Sequence, residues 1–151
     1  MKLVLQFAIV IALSIIVSCG NQTTESDKPA ETSFLIHAEK DLHDIWALEW
    51  IEGMDIDTIE FMKSIPVLEL NPRDSSVLGN SGCNQLNGTL VVNKNNSIKL
   101  DKLATTRMFC PGMFEAKFLD YLTRTNNYKR EDLKLTLLDG NIALLRFKKV
   151  D

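Results

Sequence analysis

Two stretches, Gly82-Cys83-Asn84-Gln85-Leu86-Asn87-Gly88 and Ala104-Thr105-Thr106-Arg107-Met108-Phe109-Cys110, contain two of the three cysteines of this 151-residue chain. The first stretch is rich in glycine and asparagine, which tolerate left-handed backbone conformations and are typical of tight loops. The second leads to Pro111, which is placed like a first-turn helix proline. We therefore expect the domain to be arranged around these two stretches.

The third cysteine, Cys19, follows an export signal. Lys2 precedes an apolar run over residues 3–17, and Ser18 is the small residue that a signal peptidase requires. The run is 15 residues long, shorter than the roughly 20 residues that span a bilayer. Residues 1–18 thus resemble a bacterial lipoprotein signal peptide, with Cys19 as the residue that receives the lipid.

The signal implies a lipid-anchored protein of the cell envelope, whose membrane partner is engaged through acylated Cys19. Gly20 in place of an aspartate resembles the outer-membrane class of such lipoproteins, on either face of that membrane. Residues 19–40 are predicted to be the lipidated cysteine and a flexible tether, because residues 20–33 are too polar to offset their ordering entropy by burial. Residues 34–44 fit either a short helix or the entry to a first strand.

Charge and compartment limit the other partners. Removal of the signal takes away Lys2 and leaves 16 basic and 20 acidic side chains, a formal charge of −4 once the amino terminus is acylated. This mildly acidic domain gives no reason to expect nucleic acid as a partner. In an oxidising envelope, Cys83 and Cys110 are predicted to form a structural disulfide. The alternatives are two buried thiols, a redox pair or half a metal site. We predict no cofactor and no metal.

Alternating apolar residues predict a mainly β domain over residues 41–151. An amphipathic helix is predicted over residues 113–124. Asp139-Gly140-Asn141 is a strong hairpin signal. The expected fold is a small antiparallel curved sheet or incomplete β-barrel with one helix packed across it. The predicted strands and extended segments are 45–51, 66–70, 76–80, 89–92, 97–100, 103–108, 133–137 and 142–148.

Residues spaced along this region resemble the META domain, the domain of HslJ-like heat-shock proteins. The resemblance covers about residues 41–149 and implies a small β-barrel-like fold with one helix. It also implies a poorly defined molecular activity, with links to heat stress, drug tolerance, and motility or secretion. The residues that carry it are Trp46, Leu48, Ile51, Gly53, Pro66, Leu68, Val77, Gly79, Gly82, Cys83, Asn84, Gly88, Ala104, Thr106, Arg107, Met108 and Cys110. The residues that also fit it are Glu115, Phe118, Tyr128, Leu135, Leu137, Leu145 and Phe147.

Several motif residues have a structural and a functional interpretation. Asn84 and Gly88 are expected in a tight structural loop. Arg107 either contacts an anion or a lipid headgroup, or covers the edge of the core with its stem while its head pairs with a carboxylate. A serine-hydrolase triad is rejected, because the serine elbow lacks its final glycine and His37 and His43 lie outside the motif.

The predicted function is a non-enzymatic envelope lipoprotein whose domain serves as an interaction or stress-protection module. The alternative is a pilot-like or chaperone-like carrier whose apolar lumen binds a lipid or a peptide. An enzyme would require converging polar groups with perturbed pKa values in a cleft, and the sequence offers no such set. The expected partners beyond the membrane are an envelope protein or a hydrophobic ligand.

Overall fold

The computed structural model of the protein describes residues 28–61 and 63–150. The predicted signal peptide of residues 1–18, the lipidation of Cys19 and the first part of the predicted tether lie outside the described residues. The described chain contains two helices, eight strands and a short 3-10 turn at Ile56–Thr58. In order, the elements are Lys28–Leu42 (α1), Asp44–Ile51 (β1), Val67–Asn71 (β2), Ser76–Asn80 (β3), Gln85–Asn93 (β4), Ser97–Thr105 (β5), Phe114–Arg124 (α2), Asn127–Glu131 (β6), Lys134–Asp139 (β7) and Ile142–Lys149 (β8).

The eight strands form one antiparallel sheet that curves into a ring. Each strand pairs with the next in chain order, and β8 pairs back with β1. The narrowest junction lies between β5 and β6, where Ser97 and Asn127 form the one residue pair seen in the described chain. α2 packs against β5 and β7, on both sides of this junction. The predicted curved antiparallel sheet with a helix across it is therefore confirmed.

The interior of the ring is filled by side chains that alternate along the strands. Trp46 and Leu48 of β1 and Phe147 of β8 are at most 2% exposed. α2 adds one apolar face, in which Phe118 is fully buried and lies 6.4 Å, centroid to centroid, from Phe147. Burial of each such large side chain contributes roughly 1.5–3 kcal/mol. The rest of the buried α2 face is Phe114, Tyr121 and Leu122.

The first helix departs from the prediction of a single helix. α1 occupies Lys28–Leu42, so the second part of the predicted tether of residues 19–40 is helical. The helix is held by Ala38 and Leu42, which are both buried, and by Trp46, whose indole N–H donates to the Leu42 carbonyl at 2.9 Å. These two buried positions lie one helical turn apart, and an apolar stripe so short gives no helical periodicity that could be recognised in the sequence.

Strand boundaries also differ from the predicted ones. β4 begins at Gln85, so four of the seven residues of the predicted Gly82–Gly88 loop are strand. β5 joins the predicted strand 97–100 to the first part of the predicted segment 103–108 and ends at Thr105. β6 was not predicted, because its sequence Asn-Tyr-Lys-Arg-Glu has a single apolar side chain, Tyr128. No helix within the described part of the chain is both long enough and apolar enough to cross a membrane.

Different segments of the chain cover the two ends of the ring. α1 packs where β1 begins and β2 ends, and the Glu39 carboxylate there accepts a hydrogen bond from the Arg73 N–H. The loop between β3 and β4 and the segment that follows β5 lie at the opposite end, where β1 ends. We call these the α1 end and the disulfide end.

Candidate functional site

A disulfide joins the two stretches that contain Cys83 and Cys110. The sulfurs are 2.05 Å apart and the Cα atoms 6.2 Å apart, across a sequence separation of 27 residues. Cys83 is 4% exposed, at the end of the turn between β3 and β4. Cys110 follows β5 and precedes α2. The bond therefore ties the start of β4 to the approach to α2.

Asn84, beside the disulfide, is the most connected polar side chain at this end. The side-chain carbonyl oxygen of Asn84 accepts hydrogen bonds from the Met108 N–H and the Thr106 hydroxyl, both at 2.8 Å. Its amide nitrogen lies 3.1 Å from the Met108 carbonyl oxygen and 3.0 and 3.1 Å from the two carboxylate oxygens of Glu115. Since Asn84 is only 2% exposed, these bonds replace water at every polar atom of the side chain.

Ser81 completes the cluster. Its hydroxyl donates to the Glu115 carboxylate and lies 3.0 Å from the Asn84 N–H, from which it accepts a hydrogen bond. The Ser81 backbone N–H in turn donates to the backbone carbonyl oxygen of Asn84 at 2.9 Å. Glu115 stands in the first turn of α2, where the helix dipole favours a carboxylate. The polar groups of this cluster thus bond to one another, and they hold the loop on the helix.

The two glycines of the motif meet different requirements. Gly82 has φ +89°, and a Cβ there would lie 2.6 Å from Cδ1 of Phe61. Gly88 lies inside β4, at a register irregularity with β5, and a Cβ there would lie 2.7 Å from Cδ2 of Leu103 and 2.9 Å from the Asp101 carbonyl oxygen. Gly88 is therefore required by the close approach of two strands, and the prediction that it belongs to a tight loop is wrong.

The segment of residues 106–113, which we call the disulfide loop, presents apolar side chains to solvent. Phe109 is 85% exposed and Met113 81% exposed, with Met108 beside them at 45%. Arg107 is exposed as well and makes no ion pair with any described residue. Among the described residues, nothing therefore supports the interpretation in which its guanidinium pairs with a carboxylate. Phe109 and Met113 are not among the residues predicted for a site, although apolar residues between a strand and a helix are a usable signal in the sequence.

A metal could in principle use three atoms of this cluster. One ligand atom each from Cys83, Cys110 and Glu115 lie within 4.8 Å of one another. In the disulfide, however, the two sulfurs are bonded to each other and lack the thiolate charge that holds zinc. Glu115 is also engaged by Ser81 and Asn84. The arrangement fits a stabilising crosslink between the loop and the helix better than it fits a metal centre.

Three shifted pKa values lie outside this cluster. The hydrogen bond that Arg124 donates to Asp139 raises the pKa of the Arg124 guanidinium above its usual value. Burial raises the pKa of the Tyr128 phenol above its usual value, and the negative charge of Asp41 adds to the effect. The hydrogen bond from Lys99 lowers the pKa of Asp101, which is on the surface of β5. Tyr128 lines a cavity with His37 and Lys94 beside the β4–β5 turn, whereas the Asp101 and Arg124 side chains lie on the surface.

Together, the ring of eight antiparallel strands, the helix across its one narrow junction and the disulfide at one end define a small β domain whose described interior is packed. The chain belongs to the META domain family, because the family model of the META domain matches residues 40–151. No curated protein sequence matches the chain.

Three solved structures are similar in fold. One, determined by NMR, is 22% identical with a TM-score of 0.56, over 74% of this chain and 92% of its own. An NMR structure from Burkholderia xenovorans is 21% identical with a TM-score of 0.56, over 76% and 87%. A crystal structure of a DUF4847 family protein from Bacteroides vulgatus is 13% identical with a TM-score of 0.53, over 76% and 99%. At these identities the similarity concerns the fold alone.

Proposed function

We propose that this protein is a non-enzymatic envelope lipoprotein whose META domain is an interaction module, with a role in stress protection through the partner it binds. The observation that carries the proposal is the disulfide loop, in which Phe109 and Met113 are more than four-fifths exposed. Large apolar side chains so exposed are unfavourable in water unless a partner covers them. A rigid apolar loop is typical of the centre of a protein interface.

The loop is rigid because its backbone is held at several points. Met108 bonds to Asn84 through both its N–H and its carbonyl, and the disulfide holds Cys110. Little conformational entropy is therefore lost when the loop is covered. Arg107, which is exposed and unpaired among the described residues, adds a positive charge at its edge. We infer a protein partner with an apolar surface bordered by carboxylates.

The same observations favour this function over the two alternatives. An enzyme needs polar groups that are free to act on a substrate, whereas Ser81, Asn84 and Glu115 bond to one another. A carrier needs an apolar lumen, whereas Trp46, Phe118 and Phe147 occupy the interior of the ring at no more than 1% exposure. The interaction module therefore accounts for the geometry better than a carrier does.

The test is photo-crosslinking of the full-length protein in intact envelopes. A photoreactive amino acid replaces Met113 in one variant and Ile142, the first residue of β8, which is 62% exposed, in the matched control. We expect a defined protein adduct from position 113 and none from position 142. Adding Arg107→Glu should abolish that adduct without changing the unfolding midpoint. Equal adducts from both positions, or an adduct that survives Arg107→Glu and Phe109→Ser, would overturn the proposal.

A further inference from the structure

The α1 end carries an amphipathic surface built from α1 and two neighbouring turns. Leu35 and Ile36 are 52% and 64% exposed and form an apolar ridge. A cavity of about 630 Å³ lies on one side of the ridge, where Phe34 and Leu35 face Val92. A second cavity of about 420 Å³ lies on the other side, against the turn between β2 and β3.

Polar and basic groups surround this ridge. His37, Lys94 and Tyr128 line an adjoining cavity of about 380 Å³ beside the β4–β5 turn. Arg73, whose side chain is 78% exposed, lies at the other margin. The acidic groups nearby are partly engaged, since Glu39 accepts from the Arg73 backbone N–H, lies 3.7 Å from the Arg73 guanidinium and pairs with His43. The charge of Asp41 acts on Tyr128, and Asp74, in the same turn as Arg73, is hydrogen-bonded to the Asn71 side chain.

The chain connects this surface to the predicted lipid. Eight residues lie between Cys19 and Lys28, the first residue of α1, so nine residue-to-residue steps join the two. At full extension they span at most about 32 Å. The α1 end is thus kept close to the acylated residue, whereas the disulfide loop lies at the opposite end of the ring. This step rests on the lipid anchor of the proposed function.

We propose that the surface formed by Phe34, Leu35, Ile36, Arg73 and Lys94 lies on the phospholipid bilayer that holds the Cys19 lipid. The leucine and isoleucine enter the boundary between headgroups and acyl chains, as the apolar face of an interfacial helix does. Arg73 and Lys94 meet lipid phosphates, and each basic residue strengthens contact with an anionic surface. The module is then oriented, and the disulfide loop faces away from the membrane toward its partner.

The test measures depth in the bilayer for the lipidated full-length protein. With Cys83 and Cys110 in a disulfide and Cys19 acylated, an engineered cysteine can be labelled selectively with an environment-sensitive fluorophore. The label replaces Ile36 (Ile36→Cys) or, as a matched control, Ile142 (Ile142→Cys), because the two side chains are 64% and 62% exposed. The protein is reconstituted in vesicles of phosphatidylethanolamine and phosphatidylglycerol that contain a quencher in the acyl region.

We expect co-flotation with the vesicles, a blue shift and quenching at position 36, and neither spectral change at position 142. In Lys94→Gln, the ratio of molecules whose α1 surface lies on the bilayer to molecules whose α1 surface does not should fall about five-fold. Quenching of the label at position 36 measures this ratio. Lys63→Gln, an exposed lysine at the disulfide end, should leave it unchanged. Co-flotation without quenching at position 36 would overturn this inference and leave the anchor intact. Failure to co-float would overturn the anchor and, with it, this inference.

Discussion

The side-chain amide of Asn84 donates to both carboxylate oxygens of Glu115, at 3.0 and 3.1 Å, and thereby joins the β3–β4 loop to the first turn of α2. The two residues are 31 positions apart in sequence. A hydrogen bond to a charged acceptor contributes about 1.5–3 kcal/mol in such surroundings. The contribution of this contact to the stability of the domain is therefore similar in size to that of the neighbouring disulfide.

Asn84→Ala is expected to lower the free energy of unfolding by about 2–4 kcal/mol, because it leaves the Met108 N–H without a partner and leaves Ser81 as the remaining donor to the Glu115 carboxylate among the described residues. Urea denaturation followed by circular dichroism measures the change. Asn87→Ala is the control, since Asn87 is exposed and lies in the same stretch. Equal effects of the two substitutions would contradict the role given to Asn84.

Replacing both cysteines, by Cys83→Ser with Cys110→Ser, is expected to cost about 3.5 kcal/mol of stability. The chain-entropy relation predicts this value for a closed loop of 27 residues. Urea denaturation of the double variant and of the wild-type protein with and without reductant measures it. Mass spectrometry under denaturing, non-reducing conditions supplies the thiol count. Two alkylatable thiols in the untreated mature protein would refute the disulfide.

Gly82→Ala and Gly112→Ala form a matched pair. Both glycines have left-handed φ, at +89° and +84°, so both variants incur a backbone cost of about 1–2 kcal/mol. At position 82 the new methyl group also meets Phe61, whereas nothing lies within 4 Å at position 112. Thermal unfolding should therefore show a further loss of about 1–3 kcal/mol for Gly82→Ala. Similar losses in both variants would show that Phe61 moves aside without cost.

Tyr128 predicts a loss of stability in alkali. Its pKa is raised in the folded protein by burial and then by Asp41, so the unfolded chain ionises first as the pH rises. The contribution of Tyr128 to folding is thus complete below its ordinary pKa of about 10 and is lost as the pH passes the higher folded value. Tyr128→Phe should flatten this alkaline decline in urea stability, and Asp41→Asn should lower the folded pKa in a spectrophotometric titration. An unchanged alkaline slope in Tyr128→Phe would contradict the assignment.

Replacement of Arg130 or of Arg146 by methionine is expected to change the stability of the protein in opposite directions. Both guanidinium groups lie over a tryptophan ring, Arg130 4.9 Å from Trp46 and Arg146 5.2 Å from Trp50. The Nε and Nη1 of Arg130 are shielded from solvent and have no hydrogen-bond partner among the described residues. Arg130→Met removes these unsatisfied groups and keeps the apolar stem.

We expect Arg130→Met to be neutral or to stabilise the protein by up to about 2 kcal/mol in urea denaturation. Arg146→Met should cost about 0.5–1 kcal/mol through its lost ring contact. Losses above about 1 kcal/mol in Arg130→Met would indicate a partner that the shielded nitrogens bind.

The sequence by itself determined the features that depend on local pattern. Alternation located β1, β2, β3 and the β7–β8 hairpin, and helical periodicity located α2 to within one residue at its start. These predictions succeeded because a strand with one buried face and a helix with one apolar stripe must show their period in the sequence. The spaced glycines, asparagine and cysteines likewise predicted the family, since each occupies a position with narrow steric requirements.

The tertiary structure decided what depends on contacts between distant residues. Strand β6 has a single apolar side chain, and the large apolar residues 34–36 of helix α1 are consecutive, so neither element shows a period. Both are held by neighbours such as Trp46. The bond between Asn84 and Glu115 and the exposure of Phe109 follow from how the chain folds back on itself. Local sequence specifies the elements, whereas the closure of the ring and the partners of buried polar groups are set by the free energy of packing the whole chain.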